Sequence, residues 1–317
     1  MRCLWLEDGR LQLRTDVQAP IPGGDDVLVR VSRAGICGTD IALAEGLYAF
    51  NGILGHEFVG VVSDGPERLL GRRVVGEVNI ACARCAFCLR GMKKHCVQRK
   101  ALGIRSHNGA FAEYLVLPAD NLHLVPETIS DDAAVFTEPL AAALDVVEQV
   151  EISESERVLV VGDGRLGQLV CRVLALTGAR VDVVGRHPRK LEKLAGIAAG
   201  AFVEGEFRAR DYDVAVECSG KAGGLRVALD SIRSRGTLVL KSTFAYAAKI
   251  DMGKIVVEEI RIIGSRCGPF EKALALLESG RVDPLSLIDE RYSLDDALRA
   301  FERSRKSGML KLLIDVG

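Results

Sequence analysis

Three short stretches place metal-binding side chains at useful spacing. Gly35-Ile36-Cys37-Gly38-Thr39-Asp40 offers a thiolate with a hydroxyl two residues beyond it, and Gly55-His56-Glu57 offers an imidazole beside a carboxylate. Thr137-Glu138-Pro139-Leu140 adds a second carboxylate. Sulfur, nitrogen and oxygen ligands together suit zinc, and a mixed site with a spare position does chemistry, whereas a closed four-ligand site holds a fold together. Cys37, His56, Glu57 and Glu138 are the candidate ligands of a catalytic zinc, with Glu57 and Glu138 sharing the remaining positions. Thr39 is the candidate proton relay, since a hydroxyl can both accept and donate. Singly, each has a plainer reading: a lone Cys is usually a small core residue and a Thr can cap a helix. Their joint occurrence with a cofactor loop favours the metal.

A second group is Cys82, Cys85, Cys88 and Cys96. Three cysteines at every third position and a fourth returning after a short loop can set four sulfurs at the corners of a tetrahedron. Arg84, Arg90, Lys93 and Lys94 moderate the charge of four thiolates on one dication. The spacing does not match the familiar iron–sulfur runs. Residues 82–96 are therefore expected to form a structural zinc lobe, giving two zinc ions per chain. Cys3, Cys171, Cys218 and Cys267 have no partners at metal spacing and are expected to pack.

These groups need elements to position them. From Met1 to about Pro126 the pattern is short β-type runs, Val27 to Val31, Phe58 to Val62, Arg73 to Val78 and Ala112 to Leu117, broken by Gly, Pro and Asp. Such spacing indicates a compact β unit rather than a parallel sheet. Asp131 to Val150 has helical periodicity after the possible N-cap Ser130, and Pro139 is expected to break or kink it. At Arg157 the rhythm changes to alternating strands and helices, the pattern of a doubly wound parallel sheet.

The first apolar run, Arg157 to Val161, leads into Gly162-Asp163-Gly164-Arg165-Leu166-Gly167 and then a helical pattern. Three glycines in that order permit a tight turn, close approach to a pyrophosphate and close helix packing. Gly162, Gly164, Arg165, Leu166 and Gly167 are the expected cofactor loop. The next strand ends at Gly185-Arg186, where a reader of the NAD ribose would carry an acid. Without that carboxylate, and with Arg186 able to fork onto a 2′-phosphate, NADP is favoured over NAD.

Hydrophobic residues make up 48% of the 317-residue chain, and 42 Lys and Arg nearly balance 43 Asp and Glu. No polyanion-binding surface follows from that balance, so neither nucleic acid nor membrane is an expected partner. The N-terminus meets acidic residues too early for a signal peptide, and nine cysteines, four of them crowded together, read as metal binding. A cytoplasmic protein with reduced thiols is expected.

The motifs arrive in an order that resembles the zinc-containing medium-chain dehydrogenases across essentially the whole chain. They are the Cys37 and His56 segments, the four-cysteine lobe, Gly109-Ala110-Phe111-Ala112-Glu113-Tyr114, Glu138-Pro139-Leu140, the glycine loop, and Glu217-Cys218-Ser219-Gly220. The resemblance implies a GroES-like β catalytic domain (1–140), a Rossmann domain (141–266) and a return segment (267–317) completing the first. It further implies a cleft between the domains, a homodimer or homotetramer, and hydride transfer between a nicotinamide cofactor and an alcohol, polyol or sugar. Zinc would act there as a Lewis acid on the substrate oxygen. Glu138, where liver-type alcohol dehydrogenases have cysteine, is nearer the sorbitol, threonine and glucose dehydrogenase branch. A histidine that many relatives use to pass protons would fall near Ala42 and is missing. Two rivals keep the fold: a regulatory protein without turnover, and a zinc-free quinone or enone reductase.

Overall fold

The computed structural model describes residues 1–46, 49–243 and 247–317. Alternation of buried and outward side chains builds the first part of the chain into strands: in β1 (Asp26–Gly35), Val27, Val29 and Val31 are fully buried while Arg30 is exposed. The short helix α1 (Gly38–Ala44) follows, then β2 (Glu57–Asp64), β3 (Arg73–Gly76), β4 (Tyr114–Pro118) and β5 (Leu122–Leu124). An N-terminal hairpin, Cys3–Glu7 with Arg10–Arg14, packs as a separate small sheet that the sequence pattern did not single out.

The expected long helix from Asp131 is two. Ser130 caps Asp131–Ala134 by accepting from the Ala133 N–H at 3.3 Å, and α2 (Thr137–Gln149) begins afresh. Pro139 interrupts the expected helix one turn upstream, at Val135 and Phe136, and not at its own position. It sits in the first turn of α2, where backbone N–H groups have no intrahelical acceptor and a missing one costs little.

From β6 (Arg157–Val161) the chain alternates through α3 (Arg165–Ala175), β7 (Arg180–Gly185), α4 (Pro188–Glu192), β8 (Gly200–Val203), β9 (Tyr212–Glu217), α5 (Ala222–Ser231), β10 (Ile232–Leu240), α6 (Met252–Val257) and β11 (Arg261–Gly264). The six strands are all parallel in the order β8-β7-β6-β9-β10-β11. This is the doubly wound order whose centre lies where the strand sequence reverses, between β6 and β9. In α3, Leu169, Val170, Val173 and Leu174 are buried, each such side chain contributing roughly 1.5–3 kcal/mol.

The chain then returns through helix Phe270–Glu278 to β12 (Ile288–Ser293) and β13 (Lys311–Asp315). β13 pairs antiparallel with the end of β1, matching Leu313 to Gly35, while β4 pairs with the start of β1. The sheet order is β5-β3-β2-β1-β13-β12. Two compact units result, one of Met1–Glu138 with Phe270–Gly317, the other of Pro139–Pro269. No helix among the described residues is long and apolar enough to cross a membrane.

Candidate metal centre and dinucleotide loop

Cys37 and His56 come from two loops that flank α1, and a single carboxylate ties the loops together. Asp40, fully buried, accepts from the Cys37 N–H at 2.8 Å through Oδ2 and from the Gly55 N–H at 3.2 Å through Oδ1. The same Oδ1 lies 3.3 Å from His56 Nδ1, within ion-pair range but not aligned as a full hydrogen bond. Asp40 thus orients the ring and leaves Nε2 as the nitrogen open to a metal. No local pattern announces the link of Asp40 to His56, which emerges from the fold.

Ligand atoms of Cys37, His56 and Glu57 lie within 4.8 Å of one another. Burial, the largest influence on His56, opposes a charged ring, but Asp40 and Cys37 outweigh it and hold its pKa well above the usual value. A buried spot that draws positive charge so strongly, lined by sulfur, nitrogen and oxygen donors, fits a zinc dication. Glu138, half-buried in the first turn of α2, is not part of this group of ligand atoms.

Glu57 has a partner that no local pattern announces. Its Oε2 accepts from Nζ of Lys311 on β13, and the two side chains are 1% and 2% exposed. Lys311 also lies 5.5 Å from the centre of the Phe136 ring. The pair has room because Gly35, the cross-strand neighbour of Glu57, lacks a side chain: a Cβ there would stand 2.6 Å from Glu57 Oε2. Thr39 occupies the first turn of α1, half-buried, two residues past Cys37.

The four lobe cysteines also converge within 4.8 Å, with Cys85 and Cys88 sulfurs 3.4 Å apart and Cys96 Sγ accepting from the Cys82 N–H at 3.3 Å. Backbone N–H groups pull the Cys85 thiol down to about 6, while burial and then its sulfur neighbours push Cys88 up to about 12. Four thiolates this close repel one another, and a dication among them removes the conflict. The donor set and its spacing fit a closed structural zinc.

In the second unit each loop glycine has a distinct part. Gly162 has φ +122° and a Cβ there would meet Cys218 and Ser219 backbone at 2.8 Å; at Gly167 it would strike the Gly162 carbonyl at 1.9 Å. Gly164, the N-cap of α3, faces open space instead, so the first amides of α3 are approachable by a pyrophosphate. Arg165 and Leu166 open α3 and are half-buried. At the end of β7 the structure alters one premise of the sequence reading. Gly185 does lack a carboxylate, yet Asp163 Oδ2 occupies the space 2.7 Å from where its Cβ would be. Arg186 is exposed.

A cavity of about 370 Å³ in the first unit is lined by Ala49, Phe50, Asn51, Ser106, His107 and Asn108. Asn108 Oδ1 accepts from the Ile53 N–H at 3.1 Å, fixing this wall to the segment that leads into His56.

Comparison with known proteins agrees with both units. Residues 23–127 match the alcohol dehydrogenase GroES-like domain and residues 166–279 the zinc-binding dehydrogenase domain. The chain is 28% identical over 319 residues to sorbitol dehydrogenase of Halalkalibacterium halodurans, covering 93% of each chain. It is 30% identical over 329 residues to L-threonine 3-dehydrogenase of Salmonella arizonae, covering 95% of this chain and 96% of that one. A zinc-binding dehydrogenase from Sinorhizobium meliloti, solved bound to NADP, superposes with TM-score 0.92 at 29% identity over 99% of both chains. An alcohol dehydrogenase from Thermus sp. gives 0.89 at 28% over 100% of both. With its β unit, its parallel dinucleotide sheet and its convergent zinc donors, the chain belongs to the zinc-binding medium-chain alcohol dehydrogenase family and is a nicotinamide-dependent oxidoreductase.

Proposed function

We propose that the protein oxidises a small hydroxylated substrate, an alcohol, polyol or sugar, or reduces the matching carbonyl, with two zinc ions per chain and NADP favoured over NAD. The convergence of Cys37, His56 and Glu57 donors around a spot that attracts positive charge carries this reading. Bound zinc supplies a Lewis acid for the substrate oxygen, and the nicotinamide ring accepts or returns the hydride. Cys37 and His56 hold the metal, oriented through Asp40. Glu57 brings a carboxylate oxygen within 4.8 Å of the Cys37 and His56 donors, with its Oε2 paired to Lys311. Glu138 serves as its exchange partner. Thr39 takes the substrate hydroxyl proton and, with Ala42 unable to extend a relay, releases it to water.

The four-cysteine lobe holds the second zinc and has no open position for substrate. NADP is favoured because Arg186 is exposed at the end of β7, and the NADP-bound relative supports that choice. The exposed edge of the parallel sheet suits assembly with a second copy, within a homodimer or homotetramer.

Cys37→Ala provides the test. It should retain one zinc per chain, bound by the lobe, and a native circular dichroism spectrum. NADP(H) turnover with a panel of alcohols and polyols should fall by about 10³-fold or more, as expected when a ligand of the chemical metal is removed. Turnover that survives the substitution would sink the reading.

A further inference from the structure

Asp163 stands between two glycines of the phosphate loop, a position at which dinucleotide binding itself asks for no acid. Its side chain is 9% exposed and turns away from the loop toward the end of β7. There Oδ2 accepts from the Arg186 N–H at 2.8 Å, the His187 N–H at 2.6 Å and the His187 ring Nδ1–H at 3.0 Å. One carboxylate oxygen is thus saturated by three donors, all from the turn that carries Arg186. Gly185 is its counterpart: any Cβ there would come 2.5–2.7 Å from Asp163 Cβ, Cγ and Oδ2 and would drive the carboxylate from its seat. Further along the same turn, Gln168 Nε2 donates to the Lys190 carbonyl at 2.8 Å and Arg172 Nη2 to the Lys193 carbonyl at 3.2 Å. The segment following Gly185 is therefore pinned at its start by the phosphate loop and further along by α3.

We infer that Asp163 is a positioning residue for the adenosine end of the cofactor: with Gly185 it clamps the turn so that the Arg186 guanidinium is presented to a ribose 2′-phosphate. The proposal rests on the NADP reading above. A charge-assisted hydrogen bond is about twice as strong as a neutral one, and three on one buried oxygen fix the backbone of the residue that must meet the phosphate. The Asp163 charge is spent inward on these donors, so it does not stand against the phosphate as an acid at position 185 would. A flexible Arg186 would lose part of its binding energy to ordering.

The test measures adenosine 2′,5′-bisphosphate and AMP binding to the zinc-loaded protein by calorimetry. Wild-type protein should prefer the bisphosphate. In Asp163→Ala that preference should fall by about ten-fold or more, the worth of one charge-assisted hydrogen bond misplaced, because bisphosphate binding weakens more than AMP binding. Gly185→Ala, which dislodges the carboxylate without removing it, should do the same. Asp163→Asn, whose amide oxygen can still accept the two backbone N–H bonds, should keep most of the preference. An unchanged or increased preference in Asp163→Ala, or equal weakening of both nucleotides, overturns the clamp. A wild-type protein without the preference overturns the NADP reading itself, and the clamp with it.

Discussion

Cys37, His56 and Glu57, and separately the four lobe cysteines, bring their candidate donor atoms within 4.8 Å, whereas the residues that hold those donors in place give no sign in the sequence. Cys37, His56 and the four lobe cysteines are rare side chains whose chemistry limits their use, so their pattern survives without knowledge of the fold. Lys311 gives no such signal. It is one lysine in an apolar strand, separated by 254 residues from the carboxylate it meets. Its isolation makes it testable: in protein stripped of the metal at Cys37 and His56, Lys311→Met leaves the Glu57 charge buried without its partner. Removing one member of a buried pair typically costs about 3–5 kcal/mol, and a loss of that size should appear as a lower urea midpoint. Adding Glu57→Gln should recover part of it, because the stranded charge is gone. If Lys311→Met and the double variant have the same midpoint, the pair is not coupled as the structure implies. Asp163 was equally hidden, since its partners lie across a strand and a turn and no local rule assigns an acid to that loop position.

At the scale of elements, periodicity placed strands such as Arg157–Val161 and Arg180–Gly185 within a residue, missed Gly200–Val203 and Ile288–Ser293, and put the Pro139 interruption one turn too late. Proline breaks a helix interior but starts one well, and local sequence does not tell which applies until the preceding helix is seen to stop at Ala134. Asp132 accepts from Arg33 on β1 and Arg291 on β12, so the short helix bridges the first strand and the return segment. Burial alone would raise the Asp132 pKa, but Arg291 and Arg33 outweigh it and hold it below the ordinary range. A depressed carboxylate stabilises the fold above its unfolded pKa, about 3.9, and that contribution vanishes as pH falls through the folded value. Asp132→Asn should therefore lower stability at pH 7 by about 1 kcal/mol, a figure kept small because Arg291 is half exposed to solvent. The gap between variant and wild type should close as pH approaches 2. A gap that stays constant from pH 7 to pH 2 would show that the hydrogen bonds, and not the charge, secure the bridge.

For the whole molecule, the switch from short strands to strand–helix alternation at Arg157 showed two kinds of architecture, whereas exposure at the end of the parallel sheet emerges only from the fold. β11 is an end strand, and three of its four residues are exposed, although a parallel strand is ordinarily covered on both faces. Ile262 is 39% exposed, and in the neighbouring α6 Met252, Val256 and Val257 are 60%, 72% and 82% exposed. An unpaired edge beside apolar side chains invites strand pairing with another chain, and natural proteins usually blunt such edges with charge. Arg261 is the only charged residue in β11. A second copy related by a two-fold axis can lay its own β11 antiparallel along this edge, extending the sheet and covering the valines. Wild-type protein at tens of micromolar, a concentration at which an interface of standard size is populated, should scatter light as a dimer or larger assembly. Ile262→Lys, which sets like charges against each other across the axis, should shift it toward single chains without altering zinc content. Scattering from wild-type protein that corresponds to one chain, or assembly unaffected by Ile262→Lys, would rule this edge out as the contact between copies.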